Sequence, residues 1–324
     1  MSHQGGKIFL IVLCLAIFQI IYSAKLPVVG IVSIPHILDQ KDPGYYSTAG
    51  ISATYVKWLE ASGAETLVIH PWYKPKEIDD ILSKVNGILI QGSLYKNDFK
   101  KGNPYVDTVM YILLSILTKE EGKKIPLLAI DDGFLLLHQI ISDGHNHSEG
   151  FDIYHKSTNL EFDFDRIRTT RLFSLFTEKD LSDLISNPAI FNSNHSGVHP
   201  FAYQENKYFR DFFRITSVAR DDKGKLFIAS VEAHQYPIYA IQFRPDAISY
   251  LRNSKIDVPN SNAAIRTARA IGNIFVEDCK VNNNNTFAES DYEKYSFIDP
   301  YNHSPSFEVF VDGFIYSFDK PKDV

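Results

Sequence analysis

Cysteine is nearly absent: the chain of 324 residues has two, Cys14 and Cys279. Cys14 lies in an apolar leader, so removal of that leader leaves Cys279 alone and excludes an intrachain disulfide framework. A basic block is missing too. The formal net charge is −6, which speaks against phosphate-backbone binding and removes nucleic acid from the expected partners. The apolar run Ile8–Tyr22 is shorter than the roughly 20 residues that a spanning helix requires. What remains is an ordinary globular composition, long enough for one large domain or two small ones.

The leader itself is informative. Lys7 precedes the apolar run, and Ser23, Ala24 and the charged Lys25 follow it, the pattern of a secretory signal cleaved near Ala24. An uncleaved anchor is the rival reading. The expected organisation is a signal over 1–24 and a single domain over 25–324, with no stable membrane anchor after cleavage. Asn-x-Ser/Thr sequons at Asn146, Asn194, Asn284 and Asn302 fit a secreted or lumenal glycoprotein, although Pro305 after Ser304 argues against the last.

Beyond the leader, "LPVVGIVSI" reads as a buried strand. In "ISATYVKWLEASGAETLVI" the residues Ile51, Tyr55, Val56, Leu59 and Ala61 recur at helical spacing up to Gly63, and a strand follows over Glu65–Ile69. The alternation continues with "PKEIDDILSKV" as helix, "NGILIQGS" as strand and turn, "VDTVMYILLSILTKEEG" as helix and "IPLLAI" as strand. Repeated β-α-β order with apolar strands predicts a parallel sheet covered on both faces by helices. Between 151 and 214 the periodicity weakens, apart from a short helix near "EKDLSDLIS". Strands return around a hairpin turn at Asp222-Lys223-Gly224, and the amphipathic helix "NAAIRTARAIGNIFVEDC" covers the sheet; the tail carries no strong signal.

The segment "IPLLAIDDGFLLLHQII" is a strand, a tight turn and a helix, with Asp131 and Asp132 at the apex. Ligands in such sheets bind beyond the carboxyl ends of the strands, which places Gly92 and Asp131 at the binding edge. Elbows of this kind carry Ser or Cys when they are catalytic. Adjacent turn residues point apart, and no His or Cys cluster accompanies the two aspartates, so a metal site is not expected there. Cys279 sits among core-facing residues of the last helix and reads as a packing residue.

Taken together, "VVGIVSIPH", "YYSTAGISATYVKWLEASGAETLVI", "VNGILIQGS", "PLLAIDDGF", "YPIYAIQFRPD" and the last helix resemble the gamma-glutamyl hydrolase family, cysteine peptidases of the class I glutamine amidotransferase superfamily. The resemblance implies a flavodoxin-like α/β fold, no cofactor, and hydrolysis of folylpoly-gamma-glutamates by an omega peptidase. Its implied partner is a gamma-glutamyl peptide or folate polyglutamate, with a homodimer compatible. The implied destination is the extracellular medium or the lysosomal or vacuolar lumen.

Laid on the family's elbow, roughly G-T-C-L-G-F, the chain has Asp131 at the nucleophile position. Against Q-W-H-P-E it has Gln242, Phe243, Arg244, Pro245 and Asp246, so Arg244 stands for the base and Asp246 keeps the orienting acid. Against the oxyanion turn P-G-G it has Gln91, Gly92 and Ser93. "SNHSGVH" resembles a substrate-side loop and singles out His195; Asp132 joins the substrate side of the elbow.

These substitutions bear directly on chemistry. Aspartate is a poor nucleophile toward an unactivated amide, and arginine, with a pKa above about 12, accepts no proton during turnover. Asp131 and Arg244 could reproduce the anion–cation pair of a Cys–His dyad as a salt bridge, or be unlinked changes that never meet. His195 or His199 with Ser93 or Ser196 is a further, weakly marked, base and hydroxyl set. Three functions stay open: an active hydrolase, a silent binder whose Arg244 holds a ligand carboxylate, or a scaffold that keeps the fold alone.

Overall fold

Short apolar runs become buried strands, and the segments between them that repeat every three or four residues become the covering helices. In chain order the elements are β1 (Val28–Val32), β2 (Ile34–His36), β3 (Thr48–Ser52), α1 (Ala53–Ala61), β4 (Glu65–Ile69), α2 (Pro75–Leu82), β5 (Gly87–Ile90), α3 (Pro104–Thr118), β6 (Leu127–Ile130) and α4 (Asp132–Ile141). Then come β7 (Ser148–Gly150), β8 (Lys156–Thr158), α5 (Phe164–Ile167), α6 (Glu178–Ser186), β9 (Ile190–Asn192), β10 (Ser196–Val198), α7 (Phe201–Glu205), α8 (Lys207–Phe212), β11 (Phe213–Arg220), β12 (Leu226–Ala233) and β13 (Ile238–Ile241). The chain ends with α9 (Pro245–Tyr250), α10 (Asn262–Val281), α11 (Asp291–Lys294), β14 (Ser304–Pro305) and β15 (Phe314–Asp319). This computed structural model describes residues 25–36, 48–92, 102–118, 125–193, 195–251, 256, 258–282, 287–288, 290–299, 304–305 and 314–321.

The main sheet runs β11-β12-β13-β6-β5-β1-β4. Its parallel members β1, β4, β5, β6 and β13, counted among themselves, lie in the order 2-1-3-4-5, the flavodoxin-like doubly wound arrangement. Every residue of β1, β5, β6 and β13 is buried, as a sheet covered on both faces demands. Alternation along each strand divides the core in two. Val29, Ile31, Leu128 and Ile130 join α1 and α10 on one face, whereas Val28, Val32, Leu127 and Ala129 join α2, α3 and α4 on the other.

Two local expectations are corrected. Ile51 is a strand residue, because β3 pairs antiparallel with both β2 and β15 and the helix begins only at Ala53. The tail holds a strand as well: β15 exists because β3 offers it an unpaired edge, an influence that a local pattern does not contain. Asp222-Lys223-Gly224 does turn β11 into β12, with Gly224 at φ 79° and its N–H donating to Asp221 O at 2.9 Å.

Candidate active site

Neighbouring parallel strands deliver the two substituted positions. β6 and β13 pair up to Ile130 and Ile241, and beyond that register Asp131 begins the turn into α4 while Arg244 caps the start of α9. The Asp131 N–H donates to Ile241 O at 2.9 Å, tying the elbow to the next strand. Asp131 has φ 60° and ψ −119°, a combination that costs a non-glycine residue about 1–3 kcal/mol. The strained geometry that presents a nucleophile is thus present with a carboxylate on it.

Glycines make the elbow fit. A Cβ on Gly133 would lie 2.5 Å from Ile90 O, so α4 approaches β5 only because that position is bare. A Cβ on Gly92 would lie 2.7 Å from Asp131 Oδ2, which puts the expected oxyanion glycine directly against the elbow carboxylate. The Gly92 N–H donates to Tyr55 Oη at 3.1 Å. Ser93 and the sequons Asn194, Asn284 and Asn302, like residues 1–24, lie outside the described residues.

Asp131 is 3% exposed, and its Oδ2 accepts a hydrogen bond from Ser193 Oγ at 2.9 Å. Asp132 is half-buried in the first turn of α4, and its charge adds to burial in raising the pKa of Tyr105, whose hydroxyl donates to Gln91 O at 2.9 Å. Gln91 itself is structural. Its amide donates to Val32 O and Gly50 O at 3.0 Å each, and its carbonyl accepts from Ser52 N–H at 3.1 Å.

The salt bridge considered between Asp131 and Arg244 is replaced by another. Among the described residues, the carboxylate in ion-pair contact with Arg244 is Asp246, with Nη2 2.6 Å from Oδ2. Nη2 also donates to Thr54 Oγ1 at 3.1 Å, and Thr54 in turn donates to Asp246 Oδ2 at 2.6 Å. Since the Thr54 proton goes to Asp246, Ser52 Oγ is the donor in its 2.8 Å contact with Thr54. The guanidinium lies over the Tyr55 ring, 4.9 Å from its centroid. The physical reason is proximity and burial: Asp246 is 0% exposed two residues away, and an unpaired charge there would be costly. Burial, ahead of the nearby charges, pushes the Tyr55 hydroxyl far above its ordinary pKa, so it stays neutral.

His195 follows Ser193 and the sequon position, and its backbone carbonyl accepts from Phe151 N–H at 2.8 Å. Its exposed ring stacks on Tyr154 at 4.0 Å, and Tyr154 stacks on His155 at 3.7 Å. His199 belongs to a separate surface hollow beside His147 and Glu205, with Nδ1 accepting from Phe201 N–H at 3.1 Å. Ser196 pairs with Gly150 in the β7–β10 ribbon. Thr54, Tyr55 and Ser193 are the site residues that sequence reasoning missed. Thr54 and Tyr55 lay within the recognised block "ATYVKWLE", but only their distance from Asp246 and Gly92 reveals a role. Among the described residues no group of three or more His, Cys, Asp or Glu is placed to hold a metal ion.

A doubly wound sheet with a strained strand–turn–helix elbow at its carboxyl edge, an acid in the first turn of the helix that follows the neighbouring strand and a glycine amide close by define an α/β fold of the strand–turn–helix elbow type. The chain belongs to the peptidase C26 family, whose sequence profile matches residues 27–246. It is similar to the gamma-glutamyl hydrolase of Homo sapiens, 26% identical over 302 residues covering 92% of this chain and 91% of that protein. It is also similar to probable gamma-glutamyl hydrolase 3 of Arabidopsis thaliana, 25% identical over 272 residues covering 81% of this chain and 76% of that one. Among solved structures, the glutaminase domain of Trypanosoma brucei CTPS aligns with a TM-score of 0.47 and 13% identity, over 76% of this chain and 93% of that domain.

Proposed function

We propose that the chain is a gamma-glutamyl hydrolase-type protein that has lost the peptidase step and serves as a structural or interaction protein. On this reading it enters the secretory route behind residues 1–24 and reaches the extracellular medium or the lysosomal or vacuolar lumen, glycosylated at some of its sequons. The observation that carries the proposal is the clamp on Arg244. A guanidinium stands at the base position, and it is committed to Asp246 and Thr54. It neither accepts a proton nor returns one to a leaving amine. Loss of a nucleophile or base from such a unit costs about 10⁴ to 10⁶ in rate, and loss of both costs little more.

The same clamp favours a scaffold over a silent binder that uses this arginine. With 4% exposure and a neutralising partner inside the fold, Arg244 is poorly placed to hold the carboxylate of a gamma-glutamyl or folate polyglutamate chain. Purified protein incubated with a gamma-glutamyl oligomer should release no glutamate above background. The double variant Asp131→Cys, Arg244→His, assayed beside it, should gain release if the remaining site is competent. Glutamate release by the unmodified protein, abolished in Asp131→Ala, would overturn the proposal.

A further inference from the structure

The helices that hold the clamp at their N-terminal ends border a hollow at their C-terminal ends. It measures about 390 Å³ and lies between Trp58, Ala61 and Ser62 at the end of α1, Ser249 and Tyr250 at the end of α9, and one stripe of α10. Ile265, Arg269 and Asn273 follow each other at four-residue spacing, so they share that stripe. Gly272 beside them lets α10 approach α1, since a Cβ there would lie 2.4 Å from Ser62 Oγ and 3.0 Å from the Trp58 ring. The indole is fixed, because Trp58 Nε1 donates to Ala268 O at 2.8 Å.

Arg269 is the informative member. Its neighbour Arg266 is held by Asp180 and Asp183 at 2.8 and 2.7 Å. Arg269, at the mouth of the hollow, makes no hydrogen bond or ion pair among the described residues. A planar guanidinium left uncommitted at the edge of a hollow that the exposed Tyr250 ring borders is suited to a carboxylate, which it grips with two parallel N–H donors. The helix C-termini around the hollow would repel an anion, and Arg269 supplies the opposing charge. The hollow also falls in the roughly 300–1,000 Å³ range of small-molecule sites.

We infer that this hollow binds a small aromatic carboxylate, with the ring against the exposed face of Tyr250, beside the buried edge of Trp58, and the carboxylate on Arg269. Ser249 and Asn273 add polar groups at its edge. Because the chain has two tryptophans, Trp58 and Trp72, the variant Trp72→Phe makes Trp58 the sole emission reporter. Titration of that protein with benzoate should give a saturable emission change at or below about 10 mM. Adding Arg269→Gln, a substitution at an exposed position, should weaken benzoate at least about tenfold. Benzyl alcohol, cyclohexanecarboxylate and inorganic phosphate should each bind more weakly than benzoate. Absence of saturation with benzoate, equal affinity in the Arg269→Gln variant, or phosphate binding as tight as benzoate would overturn the inference.

Discussion

Arg244 Nη2 lies 2.6 Å from Asp246 Oδ2, with both side chains almost fully buried at the start of the same short helix. A buried pair of this kind is weak evidence for stability as a whole, because desolvation offsets much of the attraction. Breaking it is another matter. Arg244→Met should cost about 3–5 kcal/mol in urea unfolding, since Asp246 would be left without its counter-charge. Thr54→Val, which removes one hydroxyl from the same cluster, should cost about 1–3 kcal/mol. A loss under 1 kcal/mol in Arg244→Met would show that the clamp is not what holds Asp246.

The backbone strain at Asp131 is separable from its carboxylate. Asp131→Gly and Asp131→Ala both lose the contact with Ser193, yet only glycine accepts φ 60° and ψ −119° without steric cost. The glycine variant should be the more stable of the two by about 1–3 kcal/mol. Equal thermal midpoints would mean that the elbow relaxes once the carboxylate is gone.

Burial pushes the His138 imidazole down to about 4. Its ring bonds Phe134 O through Nδ1 and Tyr203 Oη through Nε2, each at 2.8 Å. The unfolded chain, titrating near 6.5, binds the proton first. This contribution is therefore fully present above pH 6.5 and is lost as pH falls toward 4, roughly 3 kcal/mol in all. His138→Gln should flatten the slope of unfolding free energy against pH in that window. An unchanged slope would assign the acid sensitivity to other groups, of which His70, also lowered to about 4 by burial, is the first to test.

Glu60 acts with the opposite sign. Burial, ahead of the Thr66 hydrogen bond, pushes its carboxyl up to about 7. Its contribution is present below the unfolded value near 4.5 and is lost as pH rises through 7. Glu60→Gln should match the parent at pH 4 and be more stable at pH 8, as read by thermal midpoints. A variant that is less stable at pH 8 would show that the carboxylate is needed in its charged form.

Asn146 is the described sequon. It is exposed, and its Oδ1 accepts from Ser148 N–H at 2.9 Å and Ser148 Oγ at 2.7 Å. Expressed with its leader in a eukaryotic secretory system, the protein should appear in the medium beginning near Lys25, and its endoglycosidase-sensitive mass should fall in Asn146→Gln. Retention with the leader intact would favour the anchor reading.

Much of this protein is legible locally. The buried strands announce themselves through "VVGIV", "LLAI" and "IYAI", and the elbow through two aspartates and a glycine after an apolar run. Cys279 as a packing residue was legible too: it is fully buried, its thiol pushed up by burial. What failed was long-range pairing. Ile51 fits a helical pattern but lies in β3, and β15 forms from a tail without strong periodicity, because each is completed by a partner far away in the chain. Tertiary contact overrides a weak local preference in such cases.

The same division governs the site. Residue identity alone determined that the position expected to hold a thiol carries a carboxylate and the position expected to hold an imidazole carries a guanidinium, because pKa and nucleophilicity belong to the side chain. Tertiary structure decided where those charges go. It turned Arg244 onto Asp246 and Thr54, gave Asp131 to Ser193, and left Arg269 uncommitted beside a hollow that Tyr250 borders. The reason is desolvation: a buried ion takes the nearest partner that packing places within reach, and no spacing in the sequence specifies which one that is.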